Sequence, residues 1–210
     1  MFGGYLVIHL IVNATLVEGV RHFGQANIYQ QQVDKIHSLP FLLAVEWTFI
    51  YLPILYHTFY GIWIIVTGQS NLERYGYIKN WFYTLQRVSA IILIAFIAFH
   101  VLGMKGFFGK NLEFDPVNHA ADSAARHVNS AWWIWGLVYP IGILASCFHL
   151  ANGFWTAGIT WGLTVSSQAI RRWGMVCTVL FFLTFGCGMT ALVALVRMGP
   201  QPVPTAVVQP

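Results

Sequence analysis

Charged side chains are scarce in this chain. Lys and Arg number 11 and Asp and Glu number 7 among 210 residues, which is 9% charged against 57% hydrophobic. An ordinary globular domain carries about 25% charged residues, so a soluble chain of this length would need far more polar surface. The net charge of +4 is dispersed, with no block of like charge, and indicates no nucleic-acid binding. The composition indicates a polytopic membrane protein.

Several chemical motifs are also missing from the sequence. The three cysteines form no CxxC pair, which argues against a disulfide framework and against a thiolate metal site. No HxxH or HxxxH cluster occurs, so a histidine-box di-iron centre is not indicated. The absence of HExxH, GxGxxG and P-loop patterns argues against a zinc protease and against nucleotide binding.

Long apolar runs dominate what is present. A helix needs about 20 apolar residues to cross about 30 Å of hydrocarbon, and four runs meet this length. They comprise residues 41–67, 81–104, 131–161 and 173–197. A fifth run, 1–17, is apolar but shorter, and we interpret it as a first helix. We therefore predict an all-α, polytopic membrane bundle of five transmembrane helices over residues 1–198, followed by a Pro-rich, disordered tail over 199–210.

The connecting segments predict the orientation of the bundle. The two shorter connections, on one side, carry five Lys and Arg with one acid. The two longer ones, on the other side, carry five Lys and Arg with five acids. Because basic residues are concentrated in short cytoplasmic loops, the shorter connections are predicted to be cytoplasmic. This places the N-terminus inside and the C-terminus outside.

Histidines occur inside the apolar runs, one in each of the first four predicted helices. A single histidine on an apolar face is more often a core residue bonded to a neighbouring helix. Four such residues favour a function, because ionisable side chains are costly at membrane depth. The four intramembrane histidines are His9, His57, His100 and His149. The other four are expected in loops: His22, His37, His119 and His127.

The four intramembrane histidines sort into two pairs by depth. His57 and His149 lie about 25 and 27 Å from the outer ends of two inward-running helices, at 1.5 Å per residue. His100 lies near the outer end of an outward-running helix, and His9 lies in the outer part of the first helix. Two bis-histidine haems stacked across a membrane have this arrangement, since each low-spin iron takes two axial imidazoles from facing helices.

The segments around these histidines resemble the cytochrome b subunit of succinate dehydrogenase/fumarate reductase. They read LVIHLIVN, HSLPFLLAVEWTFIYLPILYHTFYGIW, YIKNWFYTLQRVSAIILIAFIAFHV and FHLANGFWTAGITWGLTV. The similarity is to the five-helix, two-haem single anchor found with menaquinone, and it extends from His9 to the end of the fifth helix. It implies two haem b groups, with His57 and His149 on the inner one and His9 and His100 on the outer one.

The same resemblance implies partners, location and activity. A flavoprotein subunit and an iron–sulfur subunit would join this chain in one complex in a bacterial plasma membrane. The chain would relay electrons between the iron–sulfur subunit and menaquinone, while dicarboxylate chemistry stays on the flavoprotein. Two alternatives remain open at this point. One is a di-haem cytochrome b anchor of a formate dehydrogenase or hydrogenase, and the other is a non-haem transport or structural bundle.

Three further residues are candidates for the chemistry. Glu46 is the one acid inside a predicted helix and precedes His57 by 11 residues, nearly on the same face of a regular helix. We interpret it as a quinone-protonating residue, against the alternative of a snorkelling carboxylate. Gln86 and Arg87 could bind a haem propionate, although a positive-inside anchor explains Arg87 equally well.

Residues near the outer face receive weaker predictions. Arg126 and His127 could serve the outer haem or the quinone, although a solvated loop is the default expectation for both. Tyr139 is expected only to pack.

Overall fold

The computed structural model describes residues 2–17, 27–69, 76–117 and 119–203. Within these ranges the chain has no strands, and seven α-helices make up most of it. They are α1 Phe2–Ala14, α2 Asn27–His37, α3 Leu42–Thr67, α4 Ile78–Met104, α5 Ala120–Val128, α6 Ile134–Thr160 and α7 Ser167–Met198. The all-helical prediction is confirmed for the described part of the chain.

Four of these helices are long and apolar enough to cross a membrane. They are α3, α4, α6 and α7, and their bounds lie close to the four long runs read from the sequence. The first helix, α1, has 13 residues, which extend about 20 Å. That length is less than the hydrocarbon thickness of about 30 Å. The chain is thus a multi-pass membrane protein whose described residues contain four helices long enough to span, and the fifth span stays a prediction.

The bundle is packed most tightly at the end where α5 lies. Helix α6 packs between α4 and α7, α1 lies along α7, and the short helices α2 and α5 pack together across that end. Residues with almost no exposed surface gather there, among them Leu16, Ala125 and Val128. This is the end predicted to face outside.

Helix α3 is different, because none of its residues is buried. Large side chains such as Tyr56 and Trp63 are exposed along it. Apolar exposed side chains suit a lipid-facing helix, but a helix of a bundle normally buries one stripe against its neighbours. Helix α3 therefore packs little of its side-chain surface against the other described helices.

Two of the spanning helices contain a π-helical turn, and each turn ends two residues before a proline. The turns are Trp47–Tyr51 in α3 and Ile134–Val138 in α6, followed by Pro53 and Pro140. Proline has no N–H for the i−4 carbonyl and clashes with it in a regular α-helix. A π turn widens the helix at that carbonyl, so the helix continues without a sharp break.

The segment around Arg126 and His127 is not a solvated loop, so that expectation is wrong. Both residues lie in α5, and their exposed fractions are only 8% and 1%. The Arg126 Nη1 donates a hydrogen bond of 3.2 Å to the Pro202 carbonyl, which ties the start of the predicted tail to α5. His37 is likewise helical, at the end of α2, whereas His22 and residues 204–210 fall outside the described residues.

Helices α4 and α6 are in close contact at Gly142. A Cβ atom at this position would overlap the ring of Phe96 on α4. Phe96 in turn stacks on His100, with ring centroids 5.9 Å apart and planes inclined by 20°. Because Gly142 has no side chain, the Phe96 ring fits against α6 and stacks on His100.

We expect Gly142→Ala to destabilise the protein by about 1–3 kcal/mol, the usual cost of overpacking a tight contact. Gly186→Ala on α7 is the matched control, because nothing lies within 4 Å of a Cβ built there. That variant should be neutral or up to about 1 kcal/mol more stable, since Ala is the better helix former. Thermal unfolding of the purified complex measures both. Equal stability of the two variants would contradict the close contact.

Candidate functional site

The structure brings the four intramembrane histidines together in two pairs. His57 of α3 faces His149 of α6, with ring centroids 6.0 Å apart and planes inclined by 87°. His9 of α1 faces His100 of α4, also with centroids 6.0 Å apart and planes inclined by 78°. These are the two pairs that helix depth predicts, each formed across helices that are not adjacent in sequence.

The spacing within each pair fits two imidazoles on opposite sides of one metal ion. Metal–imidazole bonds are about 2.0–2.1 Å long, so two in line place the ring centroids about 6 Å apart. No group of three or more His, Cys, Asp or Glu able to hold a metal occurs within the described residues. A metal held by two trans histidines alone would lack its other ligands. Haem iron suits such a pair, because the macrocycle supplies the remaining four nitrogens.

In the inner pair, His57 and His149, side chains of α4 and α6 fix the position of His149. The Ser89 Oγ lies 3.1 Å from the Nδ1 of His149. The Gln86 Nε2 donates to the His149 carbonyl at 3.1 Å, and the Asn152 Nδ2 donates to the Gln86 Oε1 at 2.8 Å. The half-buried Gln86 is thus held between α4 and α6, so its amide fixes the position of the histidine's backbone.

The outer pair lies beside a cavity of about 200 Å³. His9, His100, Asn13 and Tyr139 are among the residues that line it. The Tyr139 hydroxyl lies 3.1 Å from the Nδ1 of His100, and the Asn13 Nδ2 donates to the His9 carbonyl at 2.7 Å. The mostly apolar lining with few polar groups is typical of a cofactor site.

Arg87 lies where α4 meets the C-terminal end of α3, which is predicted to be cytoplasmic. Its guanidinium lies 4.3 Å from the centroid of the Tyr83 ring and hydrogen-bonds the Tyr83 hydroxyl. The Nη2 also approaches the Ile64 carbonyl at 3.5 Å, while the buried Nε has no hydrogen-bond partner within the described residues. Arg87 therefore joins two helices and keeps one donor for a further acceptor.

Glu46 is half-buried at the end of the first α-helical segment of α3. The π turn Trp47–Tyr51 separates it from His57, and its extra residue rotates the two side chains by about 100° from regular α-helical spacing. The assumption of a shared face therefore does not hold. Glu46 instead lies close enough to Tyr5 of α1 to interact electrostatically, and Tyr5 packs on His9 with ring centroids 5.7 Å apart.

Among the described histidines outside the spanning helices, His127 is the most deeply buried. It packs against Phe99 and Tyr139, and a Cβ at Gly103 would overlap its ring. Neither ring nitrogen makes a hydrogen bond of good geometry within the described residues, although the Leu112 backbone lies near enough to favour the charged form. Burial is the larger effect and lowers the pKa of His127.

Two residues of the site escaped the sequence interpretation. Tyr139 is not merely a packing residue, because its hydroxyl contacts His100. Ser89, whose Oγ lies beside His149, has no predicted role, although it is the one polar residue between Arg87 and His100. That isolated hydroxyl in an apolar run was a usable signal. No comparable signal marks Tyr139, since aromatic residues are common in these helices.

The fold and the site together define a multi-pass helical membrane protein with paired intramembrane histidines, the arrangement of a membrane cytochrome b. Over 196 residues the chain is 33% identical to the succinate dehydrogenase cytochrome b558 subunit of Bacillus subtilis (strain 168). The match covers 92% of this chain and 90% of that protein. The chain belongs to the family of succinate dehydrogenase cytochrome b subunits. No family model matches it, and no solved structure does so.

We expect the free energy of unfolding to fall as pH drops below about 6.5, because the unfolded chain then binds a proton that buried His127 resists. The loss is at most about 1.4 kcal/mol per pH unit from this residue. His127→Gln should remove that part of the pH dependence, whereas His37→Gln, at an exposed histidine, should keep it. Thermal unfolding at neutral and mildly acidic pH gives the slopes. Equal slopes in the wild type and His127→Gln would contradict the burial effect.

Proposed function

We propose that this chain is the membrane anchor of a succinate dehydrogenase and relays electrons through two b haems. The two histidine pairs carry the proposal, because each has the spacing of two imidazoles that share one metal ion, and within the described residues no third His, Cys, Asp or Glu joins either pair. Similarity to a succinate dehydrogenase cytochrome b558 subunit supports haem b as the cofactor. It also favours this complex over a formate dehydrogenase or hydrogenase anchor.

The ligands are assigned by their positions along the helices. His57 and His149 would hold the inner haem, since they lie about 15 Å and 17 Å from the cytoplasmic ends of α3 and α6. His9 and His100 would hold the outer haem, within about 8 Å of the outer ends of α1 and α4. Haem b, when bound, supplies reversible one-electron exchange at its iron.

The protein's own residues orient the ligands and exclude water. Gln86 and Asn152 hold α4 and α6 together beside His149. Phe96, seated against Gly142, covers one face of His100. Arg87 has a buried Nε available for an acidic group, which suits a propionate at the inner level. Helix α3, which buries none of its own residues, would complete its packing against the inner haem.

The redox partners would lie at opposite faces of the membrane. An iron–sulfur subunit with its flavoprotein would dock on the cytoplasmic face, where Arg171 and Arg172 are exposed at the start of α7. Menaquinone would bind near the outer haem. Glu46 supports this location, because it lies within electrostatic range of Tyr5, which packs on His9. A carboxyl group there could deliver a proton to the quinone.

We expect alanine at either member of a pair to remove the same haem. His57→Ala and His149→Ala should each lose the inner haem, and His9→Ala and His100→Ala the outer one, because one imidazole cannot replace two axial ligands. A double variant within a pair should lose no more than either single variant, and one across pairs should lose both haems. Haem quantitation with redox titration of the purified complex measures this.

His119→Ala is the control for these variants, because His119 lies outside both pairs and near surface Asp122. It should keep both haems. Retention of two haems by any of the four pair variants would refute the ligand assignment.

We expect Glu46→Gln to slow menaquinone turnover by about 100-fold, the lower end of what a positioned proton donor contributes. Both haems should stay, since Glu46 is not among the ligands. The control is Glu113→Gln, a surface carboxylate paired with Lys110 at 2.8 Å. Succinate–menaquinone activity with spectral haem quantitation separates the two effects. Unchanged turnover in Glu46→Gln would exclude this role.

A further inference from the structure

Helices α4 and α6 each place a hydroxyl group against a histidine of the other helix. Helix α4 carries His100 of the outer pair and also Ser89, whose Oγ lies 3.1 Å from the Nδ1 of His149. Helix α6 carries His149 of the inner pair and also Tyr139, whose hydroxyl lies 3.1 Å from the Nδ1 of His100. Each helix therefore supplies one histidine and the hydroxyl that contacts the other helix's histidine.

The hydrogen bonds of Ser89 define the protonation of His149. A serine hydroxyl has one hydrogen and two lone pairs. Its Oγ donates to the Gln86 carbonyl at 3.0 Å, so toward His149 the oxygen acts as an acceptor. The Nδ1 of His149 then carries the hydrogen, and Nε2 keeps the lone pair that a metal needs. Ser89 thus selects the ligand tautomer before any metal binds.

Tyr139 is held rigidly at the outer pair. Its exposed fraction is 7%, and its ring meets Phe96 edge-on with centroids 5.6 Å apart. Within the described residues, the Nδ1 of His100 is the one hydrogen-bond partner recorded for its hydroxyl. Tyr139 directly follows the π turn that precedes Pro140, so the proline fixes where this phenol points.

We propose that Ser89 and Tyr139 are positioning residues that hold His149 and His100 as ligands and set the reduction potential of each haem separately. The inference rests on the ligand assignment of the proposed function. A hydrogen bond from Nδ1–H to an acceptor makes the imidazole a more basic ligand. A more basic ligand favours ferric over ferrous iron, so each hydroxyl lowers the potential of its own haem.

The test is a potentiometric titration of both haems in the intact complex. Tyr139→Phe should raise the potential of the outer haem alone, and Ser89→Ala that of the inner haem alone. The expected size is on the order of tenfold in the reduction equilibrium, about 59 mV for a one-electron couple. Ser89→Thr, which keeps a hydroxyl at this position, should have an inner-haem potential closer to that of the wild type than Ser89→Ala has.

The control is Ser146→Ala, which removes a buried hydroxyl that bonds the Gly142 carbonyl on its own helix. It should move neither potential, and each test variant also serves as the control for the other haem. Two retained haems with unmoved potentials would overturn the inference. Equal shifts of both haems in one variant would do the same, since a general structural change has that effect.

Loss of a haem in Tyr139→Phe or Ser89→Ala also tests the inference. Phenylalanine keeps the ring that packs on Phe96, so loss of the outer haem in Tyr139→Phe would overturn the inference at the outer pair, which predicts a retained haem with a raised potential. Loss of the inner haem in Ser89→Ala supports the positioning role if Ser89→Thr, with its hydroxyl, keeps that haem. Loss of the inner haem in both variants overturns the role. If His100→Ala or His149→Ala keeps both haems, the ligand assignment itself has failed. Unmoved potentials with the ligands upheld defeat only the present inference.

Discussion

The contact between α4 and α6 is the constraint on which the site depends. An imidazole in the apolar interior of a membrane bundle must have polar partners, and these two helices supply them to each other. Gly142 allows the helices to approach, and the Gln86–Asn152 bond fixes their relative height at the inner level. With that register set, α1 and α3 each need to contribute only one histidine.

Proline shapes this arrangement as strongly as the histidines do. Pro53 and Pro140 each follow a π turn, and both turns lie in the N-terminal halves of their helices. One turn separates Glu46 from His57, and the other leads into Tyr139. Each π turn widens the helix where the proline has no N–H. The turns therefore influence the direction in which Glu46 and Tyr139 point relative to the outer pair.

Much of the fold and the pairing of the histidines could be predicted from sequence, because hydrophobic length fixes the spans and helix rise fixes depth. The rotation of helices about their own axes could not be predicted. Rotation depends on π turns and close contacts, which is why the face of Glu46 and the role of Tyr139 were misjudged. The buried α5, with Arg126 and His127, was missed because a short polar helix between spans resembles a loop in composition.

The central claim is that each histidine pair holds one haem. The most direct measurement is a reduced-minus-oxidised spectrum of the purified wild-type complex, with pyridine haemochrome quantitation per chain. The account predicts two b haems for each copy of this chain, one for each pair with centroids 6.0 Å apart. One haem would contradict the assignment of one pair, and no haem would contradict the account as a whole.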